Sequence, residues 1–204
     1  FFEAEGKKYN LNSKEVKKIV RKLSYTCGGK LVAIDSIIGS IGAQEAIKAI
    51  TGKFIPTKQF LHYHVLDLLL DEEIDTKIIH NEFWNKEDID LIQNNKFDSM
   101  RSIFRTNFIE HLQKTKVFIV GSGAIGCEHV KNFAMMGINH IVITDMDRIE
   151  RSNLSRQFLF REEDIGKPKS VVVAKKAKDM NSNLNIVAHE NKVGSETSQI
   201  YNDD

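Results

Sequence analysis

Several things are scarce in these 204 residues. Cysteine occurs only as Cys27 and Cys127, too few for a disulfide framework and without the spacing of a metal site. No apolar run reaches the ~18 residues of a membrane span and no cleavable signal is present. Neither membrane nor secretion is indicated, and a soluble intracellular protein is expected. An excess of one charge is also missing: 29 Lys+Arg against 28 Asp+Glu leave a formal net charge of +1, which argues against a nucleic-acid partner. Internal repeats and low-complexity tracts are not evident.

What is present concentrates between Lys116 and Lys169. Val117 to Val120 form a short apolar run that fits a buried parallel strand, and Gly121-Ser122-Gly123-Ala124-Ile125-Gly126 follows at once. In G-x-G-x-x-G the first Gly permits a tight turn, the second lets backbone amides approach a phosphate, and the third lets a helix pack close. Asp145 lies about 20 residues further on, at the end of the next strand, where an acid can take ribose hydroxyls. The glycines alone would favour a dinucleotide oxidoreductase. The residues after Asp145 point elsewhere. A nucleoside triphosphate carries terminal charge that needs a metal and cations. Asp147 could supply a metal oxygen, and Arg156 and Lys169 could neutralise the β- and γ-phosphates. Against a solvated surface loop, the grouping of these residues behind a nucleotide turn favours triphosphate.

These residues resemble a known family. Gly121 to Gly126, Thr144-Asp145-Met146-Asp147, Asn153-Leu154-Ser155-Arg156-Gln157, Phe158 to Arg161 and Gly166-Lys167-Pro168-Lys169-Ser170 resemble the active adenylation domain of ubiquitin-activating enzymes. The resemblance extends through Cys127-Glu128, Lys131 to Ala134 and Lys192 to Gly194, over most of residues 116 to 201. Bacterial adenylating enzymes of the molybdopterin and thiamine pathways share the glycine turn and the Asn-Leu-x-Arg-Gln element.

The first seventy residues carry a second match. Asn12-Ser13-Lys14-Glu15 reads as a helix start with Asn12 as cap, and Val16, Ile19, Val20 and Leu23 make one apolar stripe with a basic remainder, read as a solvated face. Gly28-Gly29 should end this helix. A second helix is expected over 36–51, stopped by Gly52. Its Gly39, Ala43 and Ala46 form a small-residue stripe expected to lie against another helix, so that Ala43→Leu would overpack the contact. Residues 59–66 alternate like a strand, with His62 and His64 read as a structural pair rather than a metal site. Arg21 to Tyr25, Ile38 to Glu45 and Thr51 to Phe54 resemble the end of an inactive adenylation domain. An inactive domain followed by an active one is the single-chain arrangement, which favours ubiquitin over other ubiquitin-like modifiers.

The expected organisation is therefore 1–70 as the C-terminal part of the inactive domain, 71–115 as a packed connector, and 116–204 as the N-terminal half of the active domain. The connector is rich in aromatic residues, unlike a disordered linker. Its Lys96-Phe97-Asp98-Ser99-Met100 keeps the Asp but loses the Gln of the family's Arg-Tyr-Asp-x-Gln element, and Gly137 to His140 is shorter than the family's usual connection. The fold expected is α/β: a Rossmann-like, doubly wound parallel sheet, incomplete, with strand 1 at an edge because strand 4 is missing.

The resemblance implies an enzyme that uses ATP and magnesium (Mg2+) to adenylate the C-terminal carboxylate of ubiquitin. A cysteine outside this chain then takes the acyl group as a thioester and serves ubiquitin-conjugating enzymes, in cytoplasm and nucleus. On the family motif, Gly121, Gly123, Ala124 and Gly126 form the nucleotide turn and Asp145 holds the ribose. Asp147 helps place magnesium, Asn153 and Gln157 bind nucleotide oxygens, and Arg156 and Lys169 hold the departing phosphates. Cys127 opens a helix, where a dipole can favour thiolate, but the preferred reading is a packed small apolar residue. The rival classes are an activating enzyme for another modifier, a dinucleotide-binding oxidoreductase and an inactive scaffold half.

Overall fold

The computed structural model describes residues 14–27, 29–61, 63, 96–198 and 200. The chain divides into two compact units, Phe1–Thr106 and Asn107–Asp204. Among the described residues no helix is long and apolar enough to cross a membrane.

In the first unit, α1 spans Lys14–Thr26 and α2 spans Val32–Thr51. The cap expected at Asn12 lies outside the described residues. The apolar stripe of α1 is only half covered: Val16 and Val20 are half-buried, while Ile19 and Leu23 are exposed. Helix α2 begins four residues earlier than the polar Ser36 suggests. Leu31 is its N-cap without a side-chain hydrogen bond, and Asp35 in the first turn sits favourably at the positive end of the helix dipole. Its end is as expected, with Gly52 left-handed at φ 63° and its N–H donating to Lys48 O. Among the described residues the expected helix contact is not found: Gly39, Ala43 and Ala46 are exposed and α2 has no buried residue. Residues 59–61 and 63 form no strand; the rest of that expected strand, with His62 and His64, lies outside the described residues, as does the connector up to residue 95. Helix α3, Asp98–Lys114, runs across the division, with residues from Asn107 on belonging to the second unit; it starts just after the buried Phe97 and buries Met100. A Cβ on Gly29 would stand 2.2 Å from Ile103 Cγ1, so only glycine lets the α1–α2 connection pass α3 so closely.

The second unit is built on three parallel strands in the order β1-β2-β3: β1 Lys116–Val120, β2 His140–Thr144 and β3 Asn185–His189. Helix α4, Ala124–Met136, links β1 to β2, and α5, Lys169–Met180, leads to β3. Residue alternation sorts the faces. Ile119, Ile141, Ile143 and Ile186 point into a core completed by Cys127, Val130 and Ala134 of α4 and by Val172, Val173 and Ala177 of α5. Leu112 of α3 packs against the same core. The register places Phe118, Val142 and Val187 side by side on the other face, where Phe118 and Val187 are exposed.

The sheet is thus parallel α/β with β1 at one edge, but both crossover helices cover a single face among the described residues. A doubly wound sheet has helices on both. The reason is topological: when successive strands step in one direction, right-handed crossovers deliver every helix to the same side.

Candidate functional site

At the end of β1 the chain must turn sharply into α4. Gly121 adopts φ +99°, a region that favours glycine, and its N–H donates to Thr144 O at 2.8 Å. A Cβ on Gly126 would lie 2.1 Å from Gly121 O, so the first turn of α4 can approach the loop only with glycine there. At Gly121 and Gly123 a Cβ would meet nothing within 4 Å, which leaves the mouth of the turn open. Ala124 is the first residue of α4, and the free amides of a helix start face anions well.

Asp145 follows β2 directly and ties this turn to what comes next. Its Oδ2 accepts the Ser122 N–H at 2.5 Å and its Oδ1 accepts the Asp147 N–H at 2.8 Å. Sequence reading singled out Asp145 but not Ser122, whose contribution is a backbone amide and leaves no side-chain signal.

The strip 147–149 then pairs with 166–169, closing the loop between them. Arg148 and Pro168 form an antiparallel bridge, Ile149 N–H donates to Lys167 O at 2.9 Å, and Gly166 N–H donates to Ile149 O at 2.8 Å. This closure brings Lys169 back beside Asp147. The Lys169 N–H donates to Asp147 O at 3.0 Å and its Nζ donates to Asp147 Oδ2 at 2.8 Å. The Lys169 side chain is only 9% exposed, whereas that of Asp147 is 57% exposed. A buried ammonium needs a partner, and here it has one whose other side faces solvent.

Within the closed loop, Asn153 and Glu150 form a capping box: Asn153 Oδ1 accepts the Glu150 N–H at 3.0 Å. One lone pair of that oxygen is therefore committed to the fold, and the Asn153 amide nitrogen remains a donor for a ligand. Gln157 is buried and its Oε1 has no hydrogen-bond partner among the described residues; the same holds for Ser122 Oγ in the glycine turn. Arg156 is exposed, its guanidinium donating to Ser152 O at 3.1 Å. The structure thus joins Ser122, Asp145, Asp147 and Lys169 in one hydrogen-bonded chain. Asn153, Arg156 and Gln157 belong to the adjoining loop without a direct bond to that chain. At the loop's far end, burial pushes the Asp164 carboxyl up, but the Lys167 ammonium and the Arg161 N–H outweigh it and hold the group below its usual range.

Cys127 is fully buried at 0% exposure, its thiol donating to Ser122 O at 3.6 Å, and burial pushes its pKa up to about 11. The packed-residue reading of Cys127 holds, because loss of hydration outweighs any help from the helix start.

The donor set suits a triphosphate with a divalent cation. Among the described residues one orphaned buried oxygen, Ser122 Oγ, sits in the turn and a second, Gln157 Oε1, in the adjoining loop; the mouth of the turn is open, and a carboxylate and an ammonium stand together on the hydrogen-bonded chain that leads from it. A small cation such as Mg2+ is commonly held by one or two carboxylates plus phosphates and water, so the single Asp147 fits. No group of three or more metal-ligating side chains occurs among the described residues.

Comparison with known proteins agrees. A model of the ThiF family matches residues 97–203. Human ubiquitin-like modifier-activating enzyme 1 is 43% identical over 192 residues, covering 91% of this chain and 17% of that protein. Ubiquitin-activating enzyme E1 1 of Schizosaccharomyces pombe is 38% identical over 194 residues, covering 92% of this chain and 18% of that protein. The chain therefore spans less than a fifth of the length of these relatives. Among solved structures, E. coli MccB crystallised with ATP superposes with a TM-score of 0.52 at 27% identity, covering 64% of this chain and 41% of that one. The chain belongs to the ThiF family, with a ThiF/MccB-like adenylation fold.

Proposed function

We propose that this ThiF-family chain carries the nucleotide half of a ubiquitin-activating site. In that reading the site binds ATP with magnesium, the C-terminal carboxylate of ubiquitin attacks the α-phosphate, and the products are an acyl-adenylate and pyrophosphate. A cysteine outside this sequence then takes the acyl group as a thioester and passes it to ubiquitin-conjugating enzymes, in cytoplasm and nucleus. Residues 1–70, 71–115 and 116–204 are read as the end of the inactive adenylation domain, a packed connector and the start of the active one.

One observation carries the reading: a buried lysine ammonium paired with a half-exposed carboxylate, tied by hydrogen bonds to an open glycine turn. A dinucleotide has two diester phosphates and little use for that pair. A triphosphate that expels pyrophosphate uses both members. The named relatives support the choice of ubiquitin.

The roles follow from position. The amides of Gly123 and Ala124 face the phosphates, and Asp145 accepts ribose hydroxyls through lone pairs not used by the turn. Gln157 Oε1 accepts from the nucleoside and the Asn153 amide nitrogen donates to it. Asp147 would hold the magnesium, which supplies charge neutralisation on the phosphate oxygens. Arg156 and Lys169 meet charge that grows on the leaving pyrophosphate. Their contribution is therefore larger in the transition state than in bound ATP.

The test is ubiquitin-dependent exchange of pyrophosphate into ATP by the full-length protein. Arg156→Ala or Lys169→Ala should slow adenylate formation by about 10²-fold or more, the range for loss of one such donor. Transfer from preformed adenylate should survive. Changes confined to the Michaelis constant for ATP would remove both residues from the leaving group. Binding of NAD but not ATP would return the chain to the oxidoreductases.

A further inference from the structure

The Asp147–Lys169 pair poses a conflict within the site, and the inference drawn from it rests on the nucleotide reading above. Lys169 Nζ lies 2.8 Å from Asp147 Oδ2, and the backbone bond from Lys169 N–H to Asp147 O holds the two residues in register. A phosphate that approaches Lys169 must compete with a carboxylate for the same ammonium, and meets that carboxylate's repulsion as well. A cation that approaches Asp147 must compete with the ammonium in turn. The exposure is asymmetric: Asp147 can be reached from solvent while Lys169 is enclosed. A cation can therefore take the carboxylate without Lys169 leaving its place, whereas a phosphate cannot reach Lys169 freely while the carboxylate remains unneutralised.

We propose that the Asp147–Lys169 ion pair is an exchange element that couples divalent-cation binding to phosphate binding: Asp147 restrains Lys169 from phosphate until a cation takes the carboxylate. Asp147 is in this account a positioning residue for Lys169 as well as an oxygen ligand. The coupling is reciprocal, as any linkage between two binding free energies must be. Nucleotide and metal then bind as a unit, and metal-free ATP is disfavoured by the protein itself.

Equilibrium binding of ATP to the full-length protein, with Mg2+ and with chelator, tests this without any turnover. In the native protein Mg2+ should tighten ATP by about 10-fold or more, within the ~5–150-fold usual for coupled sites. Asp147→Asn removes the negative charge and keeps the shape. It should bind metal-free ATP more tightly than the native protein does, and the Mg2+ effect should shrink toward unity. Lys169→Met should do the reverse for metal-free ATP and weaken it. If Asp147→Asn weakened ATP equally with and without Mg2+, Asp147 would be a strut and the exchange idea would be lost. Unchanged metal-free affinity with loss of only the Mg2+ effect would leave a simple metal ligand, and would equally overturn it. Failure of the native protein to bind ATP under either condition would instead sink the nucleotide reading, and this inference with it. A matching thermal midpoint for Asp147→Asn and native protein separates these outcomes from misfolding.

Discussion

At the residue scale, Asp145 shows how far a motif position can be read and where it stops. Its spacing behind the glycines marks it as a candidate ribose ligand, because an acid recurs at the end of the second strand of such sites. The spacing says nothing of its bonds to Ser122 and Asp147, since backbone amides have no residue-type signature. Those bonds change what a substitution should do. With an intact turn, Asp145→Ala would act through nucleotide affinity alone. Here it also strips two backbone N–H groups of their acceptor, a loss of about 1–3 kcal/mol for a buried donor and less for the exposed one. Asp145→Ala should therefore lower the melting temperature together with ATP affinity, and Asp145→Asn, which keeps one acceptor oxygen, should fall between. A melting temperature unmoved by Asp145→Ala would show that the carboxylate is no strut. Lys169 was legible by type, as a cation near a triphosphate. Its burial and its pairing with Asp147 were not, because they arise from a loop closure that brings together positions far apart in sequence.

At the element scale, the apolar run of Val117 to Val120 and the glycines behind it locate β1 and the turn into α4 closely, since both are short and sharply punctuated. The start of α2 was misplaced because Ser36 resembles a cap, yet Val32, Ala33, Ile34 and Asp35 continue the helix ahead of it. A small-residue stripe also misled: spacing shows that close packing is sterically possible, not that a partner is there. That difference can be measured. In α2, a Cβ at Gly39 or Gly42 would meet nothing within 4 Å. Gly39→Ala and Gly42→Ala should each stabilise the helix by about 0.5–1 kcal/mol, the cost glycine carries over alanine in a helix interior. Amide exchange along α2 in the full-length protein reads this directly. Faster exchange in Gly39→Ala would mean that another surface covers the stripe and that the added methyl collides with it.

At the scale of the whole molecule, the proposed adenylation and thioester steps separate. The site residues cluster at one end of the β1-β2-β3 sheet, and neither cysteine belongs to them as a nucleophile. Cys127 lies on the buried face of α4 with its thiol raised to about 11 and its Sγ donating to Ser122 O. At pH 8 that leaves about one thiolate in a thousand, with no surface through which an acyl-adenylate could reach it. Cys27 is exposed, but it follows the last residue of α1 with its thiol donating to Ser24 O at 3.2 Å, and among the described residues no base or cation is bonded to it. Ubiquitin loaded onto the full-length protein should therefore form its thiol-sensitive adduct on a peptide that contains neither Cys27 nor Cys127. Cys27→Ser should leave both the adenylate and the adduct undiminished. Mass mapping of the loaded protein decides the matter without relying on how well a Cys127 variant folds. An adduct found on Cys27 would merge the two steps into this chain. One found on Cys127 would require α4 to leave the sheet during the reaction.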